Sequence, residues 1–231
     1  MGDGLSASAV AAQRYPDVFE TLRQYRDLLA NEGVEWGLIG PREADRLWDR
    51  HLLNCIVVAD PAEGIVLPSA TVIDVGSGAG LPGIAWAIAR PDLQVTLVEP
   101  LARRVRFLEL AVERLELTDR VDVFRARAEV CPPELRADVV TARAVASLPK
   151  LVSLLLPLTT PSGCVVAFKG QKAAEEVDEA GQELTQRGAQ SVQVRQCGVN
   201  WLSPAATVVI VTGNAPTTSE GTRRGKNRRR R

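Results

Sequence analysis

Residues 70–83, ATVIDVGSGAGLPG, run a short unbroken apolar stretch into four glycines: Gly76, Gly78, Gly80 and Gly83. An apolar run without polar alternation suits a strand buried on both faces, the kind found in parallel sheets covered by helices. The glycines let the chain turn sharply and bring free N–H groups at the start of the next helix close to a ligand. A tight strand-to-helix turn needs only one or two glycines. The surplus, together with the flanking acids, points to a nucleotide-type ligand.

Downstream, apolar runs alternate with amphipathic stretches. Helices are expected over 82–90, 102–117, 148–158 and 172–187, and strands over 94–98, 120–124, 137–141 and 163–168. The last two strands, 192–197 and 207–211, are joined by a short Pro-containing link, which permits a hairpin but not a right-handed crossover. The expectation is an α/β fold, a Rossmann-like doubly wound sheet of seven strands, mostly parallel with an antiparallel last strand. Upstream, Val18, Leu22, Tyr25, Leu28 and Leu29 share helical spacing within 15–32. Leu47, Trp48, Leu52 and Ile56 do the same in a stretch opened by Pro41. These helices make a helical N-terminal cap, residues 1–66, before a ligand-binding domain over 67–214. Residues 215–231, dominated by Thr, Ser, Gly and Arg, read as a disordered tail.

Formal net charge is zero, but the last nine residues carry seven basic side chains, so residues 1–222 hold a net charge of −7. A mildly acidic body with a basic tail suits an anionic partner. Cys55, Cys131, Cys164 and Cys197 form no CxxC pair and His51 is the only histidine, so no metal site is expected. The first ten residues lack the basic and apolar regions of a signal peptide, and no apolar run reaches the ~18 residues of a membrane span. A cytoplasmic protein without membrane contact is the expectation.

The glycine turn fits two ligand classes. Gly78, Gly80 and Gly83 satisfy the dinucleotide spacing, with Glu99 about twenty residues beyond Gly78 where a ribose-binding acid belongs. Two features favour S-adenosylmethionine. Asp74 ends the strand before the glycines, where a carboxylate would repel a pyrophosphate but suit a sulfonium cation. Pro82 removes one helix N–H that a pyrophosphate could use. A NAD-dependent oxidoreductase remains the alternative enzyme at this point.

The motifs DVGSGAGLPGIAWAI, RRVRFLE, RAE, TARAVASL and FKGQ occur in this order, and with them the chain resembles the RsmG (GidB) family from about residue 41 to 212. The resemblance implies a class I methyltransferase that uses S-adenosylmethionine, yields S-adenosylhomocysteine, and methylates nitrogen 7 of a guanine in small-subunit (16S) ribosomal RNA. Gly76 and Leu81 match cofactor-contacting positions, and Ala128 and Glu129 match the pair expected beside the adenine. Arg143 matches an arginine placed at both the cofactor and the reacting base, and Arg127 and Lys169 match basic positions that approach RNA. Asp74, Ser77, Gly78 and Glu99 complete the expected cofactor site, and Arg143, Arg127 and Lys169 the expected catalytic set. Arg103 stands where many members have lysine, and Glu99 where others often have aspartate. The basic tail lies outside the family pattern.

Nitrogen 7 of guanine carries a lone pair and no proton, so its methylation needs alignment rather than a general base. The TARA segment after the fourth strand lacks the Asp/Asn-Pro-Pro-aromatic run suited to an exocyclic amine. Arg143 can donate to guanine oxygen 6 or to the cofactor carboxylate, or can form a structural ion pair with Asp138 or Glu129. His51 is assigned capping, RNA contact or packing. Arg103 and Arg106, with Arg127 and Lys169, are candidates for a phosphate-binding rim, and Arg223 and Arg224 of the tail for unspecific RNA attraction. The expected partner is small-subunit ribosomal RNA within the ribosomal subunit, bound by a monomer. A non-catalytic RNA-binding or ribosome assembly factor on the same fold is the second alternative.

Overall fold

The computed structural model describes residues 6–143 and 146–214, so the candidates Arg223 and Arg224 and the expected disordered tail lie outside the described residues. Seven strands form one sheet: β1 (Thr71–Val75), β2 (Gln94–Val98), β3 (Val121–Phe124), β4 (Ala137–Arg143), β5 (Thr159–Lys169), β6 (Ala189–Cys197) and β7 (Ala206–Gly213). Their order is β3-β2-β1-β4-β5-β7-β6. Strands β1 to β5 pair in parallel, while β7 runs antiparallel to both β5 and β6. The short link after β6 leaves no room for a crossover, so β7 turns back and slots between β5 and β6. The expected antiparallel last strand is present. Strands β5 and β6 begin several residues earlier than their apolar runs indicate, because pairing starts at Thr159 and Ala189 and passes through a register shift before the apolar run.

Helices α4 (Gly83–Ala89), α5 (Ala102–Arg114), α6 (Leu148–Leu155) and α7 (Ala173–Gln186) cover the two faces. One face packs Ile73, Val140, Val165 and Val209 against α6 and α7, in a cluster with Leu151, Leu155 and Leu184. The opposite face joins Val72, Val139, Val166 and Val208 to α4, α5 and the N-terminal segment. Leu22, Leu28, Leu29, Leu47, Leu52 and Ile56 all belong to that second cluster. The cap thus shares a core with the sheet.

The cap is less regular than its spacing predicts. A further helix, α1 (Ala7–Arg14), precedes the expected one; Ser6 caps it by accepting from Ala9 N–H at 3.2 Å. Pro16 sits in a 3-10 turn, α2 spans Phe19–Leu28, and the chain widens into a π turn at Leu29–Gly33. The second stretch passes through 3-10 (Pro41–Arg46) and π (Leu47–Leu52) turns before the single turn α3 (Leu53–Ile56). Apolar spacing alone does not separate these helix types, which differ by one residue per hydrogen-bonded ring; π turns are often found at functional sites. Trp48, expected in the core, is half-buried and stacks on Phe19 with centroids 5.6 Å apart.

Candidate active site

The sheet order reverses between β1 and β4, and in open α/β sheets ligands bind outside the carboxyl ends of the strands at such a switch point. The glycine turn leaves β1 there, and Arg143 ends β4 beside it. Gly76 and Gly78 adopt φ values of 72° and 60°, which bulkier residues reach only with strain. Gly83 is needed for a different reason. A β-carbon at this position would lie 2.8 Å from Asp74 Oδ2 and would also overlap Leu97.

Asp74 is fully buried. Its Oδ2 accepts the Gly83 N–H at 3.0 Å, and its Oδ1 has no hydrogen-bond partner among the described residues. Burial is the largest influence on this carboxyl, and its pKa is raised to about 7. The amide that opens α4 is thus already held by a carboxylate. With Pro82 before it, little remains of a pyrophosphate cradle. Ser77 Oγ donates to the Asp74 carbonyl at 2.8 Å, tying the turn to the strand end.

Glu99 follows the tip of β2 and is 1% exposed. Its two oxygens accept from Gly78 N–H and Leu101 N–H, each at 3.0 Å, and Arg104 lies 3.7 Å away. A carboxylate offers about four acceptor sites, so these bonds orient it while leaving capacity for hydroxyl donors. An apolar slot of about 190 Å³ opens on one side of the turn, lined by Val75, Val98, Pro100 and Ala128. Glu129 and the exposed Arg127 lie at the same slot, brought there by a 3-10 turn at Ala128–Val130.

On the other side of the turn lies a cleft of about 390 Å³ lined by Gly76, Ser77, Gly78, Leu81, Arg104 and Arg143, with His51 facing them from the cap. A third cleft of about 290 Å³ adjoins it across Arg143 and reaches Asn54, Phe168 and Lys169. Arg143 therefore forms the wall between two clefts. Its guanidinium donates to the Arg50 carbonyl, His51 Nδ1 and Cys55 Sγ, rather than to Asp138 or Glu129. Asp138 instead accepts from Thr71 N–H and Thr71 Oγ1, at 2.9 and 2.8 Å.

Lys169 is partly buried and donates to Glu176 Oε1 at 2.8 Å and to the Ala146 carbonyl at 3.2 Å. The same Glu176 oxygen accepts the Leu148 N–H at 2.8 Å, so this cation helps anchor the start of α6. Arg103 and Arg106 are exposed on α5, with Arg103 donating to the Glu35 carbonyl. The structure thus groups the glycine turn, Leu81, His51 and Arg143 around one cleft, and Ala128, Glu129 and Arg127 around the slot. It leaves Arg103 and Arg106 outside both, and Asp74 and Glu99 are buried behind the turn rather than lining either.

Sequence reading missed several supporting groups. Glu43 accepts from His51, Glu176 holds Lys169, and Tyr25 Oη donates to the Ala79 carbonyl at 2.8 Å beneath the glycine turn. Trp86 Nε1 donates to the Cys55 carbonyl at 2.8 Å, tying α4 to the cap.

A doubly wound sheet ending in an antiparallel strand, with a glycine turn after β1 and an acid after β2, defines a class I, Rossmann-like methyltransferase fold. Solved structures agree on that fold. A SAM-dependent methyltransferase from Aquifex aeolicus superposes with a TM-score of 0.53 at 20% identity, covering 75% of this chain and 98% of the other. An O-methyltransferase from neocarzinostatin biosynthesis, in complex with S-adenosyl-L-homocysteine and 1,4-dihydroxy-2-naphthoic acid, does so at 0.54 and 16% identity, covering 70% of this chain and 56% of the other.

The particular family follows from sequence. The chain belongs to the rRNA small subunit methyltransferase G (GidB) family, whose model matches residues 18–203. Proteins named ribosomal RNA small subunit methyltransferase G are 49% identical in Thermobifida fusca, over 92% of this chain and 87% of theirs. The relative in Salinispora tropica is 50% identical, over 90% and 88%, and that in Mycobacterium avium 46% identical, over 96% and 89%.

Proposed function

We propose that this chain transfers the methyl group of S-adenosylmethionine to nitrogen 7 of a guanine in small-subunit (16S) ribosomal RNA. The observation that carries the reading is the cleft between the glycine turn and Arg143, in a chain of the rRNA small subunit methyltransferase G family. The residues present fit the cofactor. The apolar slot suits an adenine, Glu99 is oriented for ribose hydroxyls, and the buried Asp74 holds the Gly83 amide that shapes the turn beneath the cleft. When bound, S-adenosylmethionine would supply an electrophilic methyl carbon, its positive charge passing from sulfur to the methylated base.

The nitrogen 7 acceptor follows from the resemblance to the family, and the site is compatible with it. No base is required, because the attacking nitrogen bears no proton. Arg143 has five N–H donors, and the three committed to the cap leave two for an oxygen of the ligand. Asn54 and Phe168 line the adjoining cleft, which offers a flat base both a polar and an aromatic contact. The exposed Arg127, Arg103 and Arg106 supply cations around the site for RNA phosphates, without sequence information. We read residues 1–66 as the cap, 67–214 as the methyltransferase domain and 215–231 as a basic tail. A monomer acting in the cytoplasm on RNA within the ribosomal subunit completes the reading. No helix among the described residues is long and apolar enough to cross a membrane.

The decisive experiment incubates the protein and labelled S-adenosylmethionine with small ribosomal subunits from a strain lacking it. Borohydride and aniline then cleave the RNA at any 7-methylguanosine. Label in the RNA with one chain break is the expected result. Label without a break would refute nitrogen 7, and absence of label would refute methyl transfer to this substrate. NAD binding in place of S-adenosylmethionine, read by calorimetry, would restore the oxidoreductase alternative.

A further inference from the structure

The cap presents three acceptors to a single guanidinium. Arg143 Nη2 donates to the Arg50 carbonyl at 3.1 Å and to His51 Nδ1 at 3.0 Å, and Nη1 donates to Cys55 Sγ at 3.2 Å. On the far side of the ring, His51 Nε2 lies 3.0 Å from Glu43 Oε2. A neutral imidazole has one donor nitrogen and one acceptor nitrogen, whereas a guanidinium can only donate. Nδ1 must therefore accept from Arg143, which leaves the ring proton on Nε2 to be donated to Glu43.

None of these three acceptors is charged. A carboxylate in the place of His51 would fix the guanidinium equally well but would offset its charge. A neutral ring fixes the geometry and leaves the positive charge for the clefts. We propose that His51 is a positioning residue for methyl transfer: held as its Nε2–H tautomer by Glu43, it orients Arg143, still fully cationic, on the wall between the cofactor cleft and the acceptor cleft. The role in methyl transfer rests on the function proposed above, while the geometry and tautomer do not.

The charged groups acting on the ring are Glu43 and Arg50 from its own segment and Arg143 from β4. Burial comes first among the influences that hold the His51 pKa below the usual imidazole value. Protonating the ring would turn Nδ1 into a donor facing a donor, so the Arg143 contact is lost on acidification and kept at neutral pH.

His51 is the only histidine in the chain, so nitrogen-15 NMR of histidine-labelled protein reports it without ambiguity. At pH 7 the ligand-free protein is expected to show the Nε2–H tautomer, with a ring pKa that rises in Arg143→Ala and falls further in Glu43→Gln. A protonated ring or an Nδ1–H tautomer at pH 7 would overturn the proposal. In turnover with small subunits, His51→Ala should lower kcat/KM by roughly 10–100-fold, the loss of one charge-assisted hydrogen bond. His51→Asn, which restores an acceptor near the Nδ1 position, should recover most of that loss. Full activity in His51→Ala, or no recovery in His51→Asn when its melting temperature matches wild type, would also overturn it. Failure of the wild type to methylate subunits would count against the proposed function instead, and the NMR result would still decide the geometry.

Discussion

The two halves of the site, on either side of the switch point, are built in different ways. The half around β1 to β3 is assembled from close neighbours. Asp74 meets Gly83, Ser77 meets the Asp74 carbonyl, and Glu99 meets Gly78 and Leu101, with the two partners of each contact no more than 21 residues apart. The half around β4 and β5 depends on distant segments. Arg143 is held by residues 88 to 93 positions away; Lys169 is the exception, paired with Glu176 only seven residues on, at the start of α7. The first half is a rigid backbone cradle that fits a small cofactor. The second is a set of side-chain cations whose orientation depends on how the cap and α7 pack.

That contrast is open to test. The largest effect is expected from Gly83→Ala in the first half, where a β-carbon meets Asp74 Oδ2 at 2.8 Å and also Leu97. Overpacking of this kind costs about 1–3 kcal/mol, each kcal/mol lowering Tm by roughly 2–4 °C, and S-adenosylmethionine binding should be lost. Scanning and titration calorimetry read both, and unchanged binding would mean that the cradle is not rigid. Next comes Arg143→Lys in the second half. A lysine cannot hold the same fork, so kcat/KM on small subunits should fall by about 100-fold with Tm nearly unchanged. A large drop in Tm would show that the cap depends on Arg143 for its packing as well as holding it.

A smaller effect separates the halves by pH. Asp74, with its folded pKa near 7, keeps a proton that the unfolded chain gives up near 3.8. Stability contributed by the protonated form is therefore lost as pH rises between those values, and Asp74→Asn should melt higher than wild type at pH 8. If the ionised form binds the cofactor, affinity should be about 10-fold weaker at pH 6 than at pH 8, and Asp74→Asn should abolish that dependence. Calorimetric binding that is flat across this range would remove Asp74 from cofactor recognition. The smallest effect is expected from Glu176→Gln. It leaves an acceptor for the Leu148 N–H but weakens the hold on Lys169, and should lower kcat/KM by about 3–10-fold without altering cofactor affinity. A matching loss of cofactor affinity would show that the halves are coupled through α6.

Most of the sheet was legible because burial on both faces leaves unbroken apolar runs such as Val72–Ile73 and Val165–Val166, and helices leave a 3.6-residue stripe. That β7 runs antiparallel to β6 was legible, because a short link cannot cross over, but its place between β5 and β6 was not. Strand starts were not, since the register shifts after Thr159 and Ala189 put polar residues ahead of the apolar runs. The π and 3-10 turns of the cap, and α1 with its weak apolar stripe, also escaped spacing arguments.

By itself the sequence determined the turn after β1, the acids at Asp74 and Glu99, and the basic residues that end β4 and β5. Each of these depends on chain neighbours or on the end of a periodic run. Only the tertiary structure decided that His51 accepts from Arg143 and donates to Glu43, that Lys169 is paired with Glu176, and that Asp74 faces Gly83 with one oxygen free. Periodicity specifies which face a side chain occupies. Which groups meet across that face is set by how elements pack, whether they are distant in the chain, as for His51 and Arg143, or successive, as for Lys169 and Glu176, and no periodic pattern encodes it.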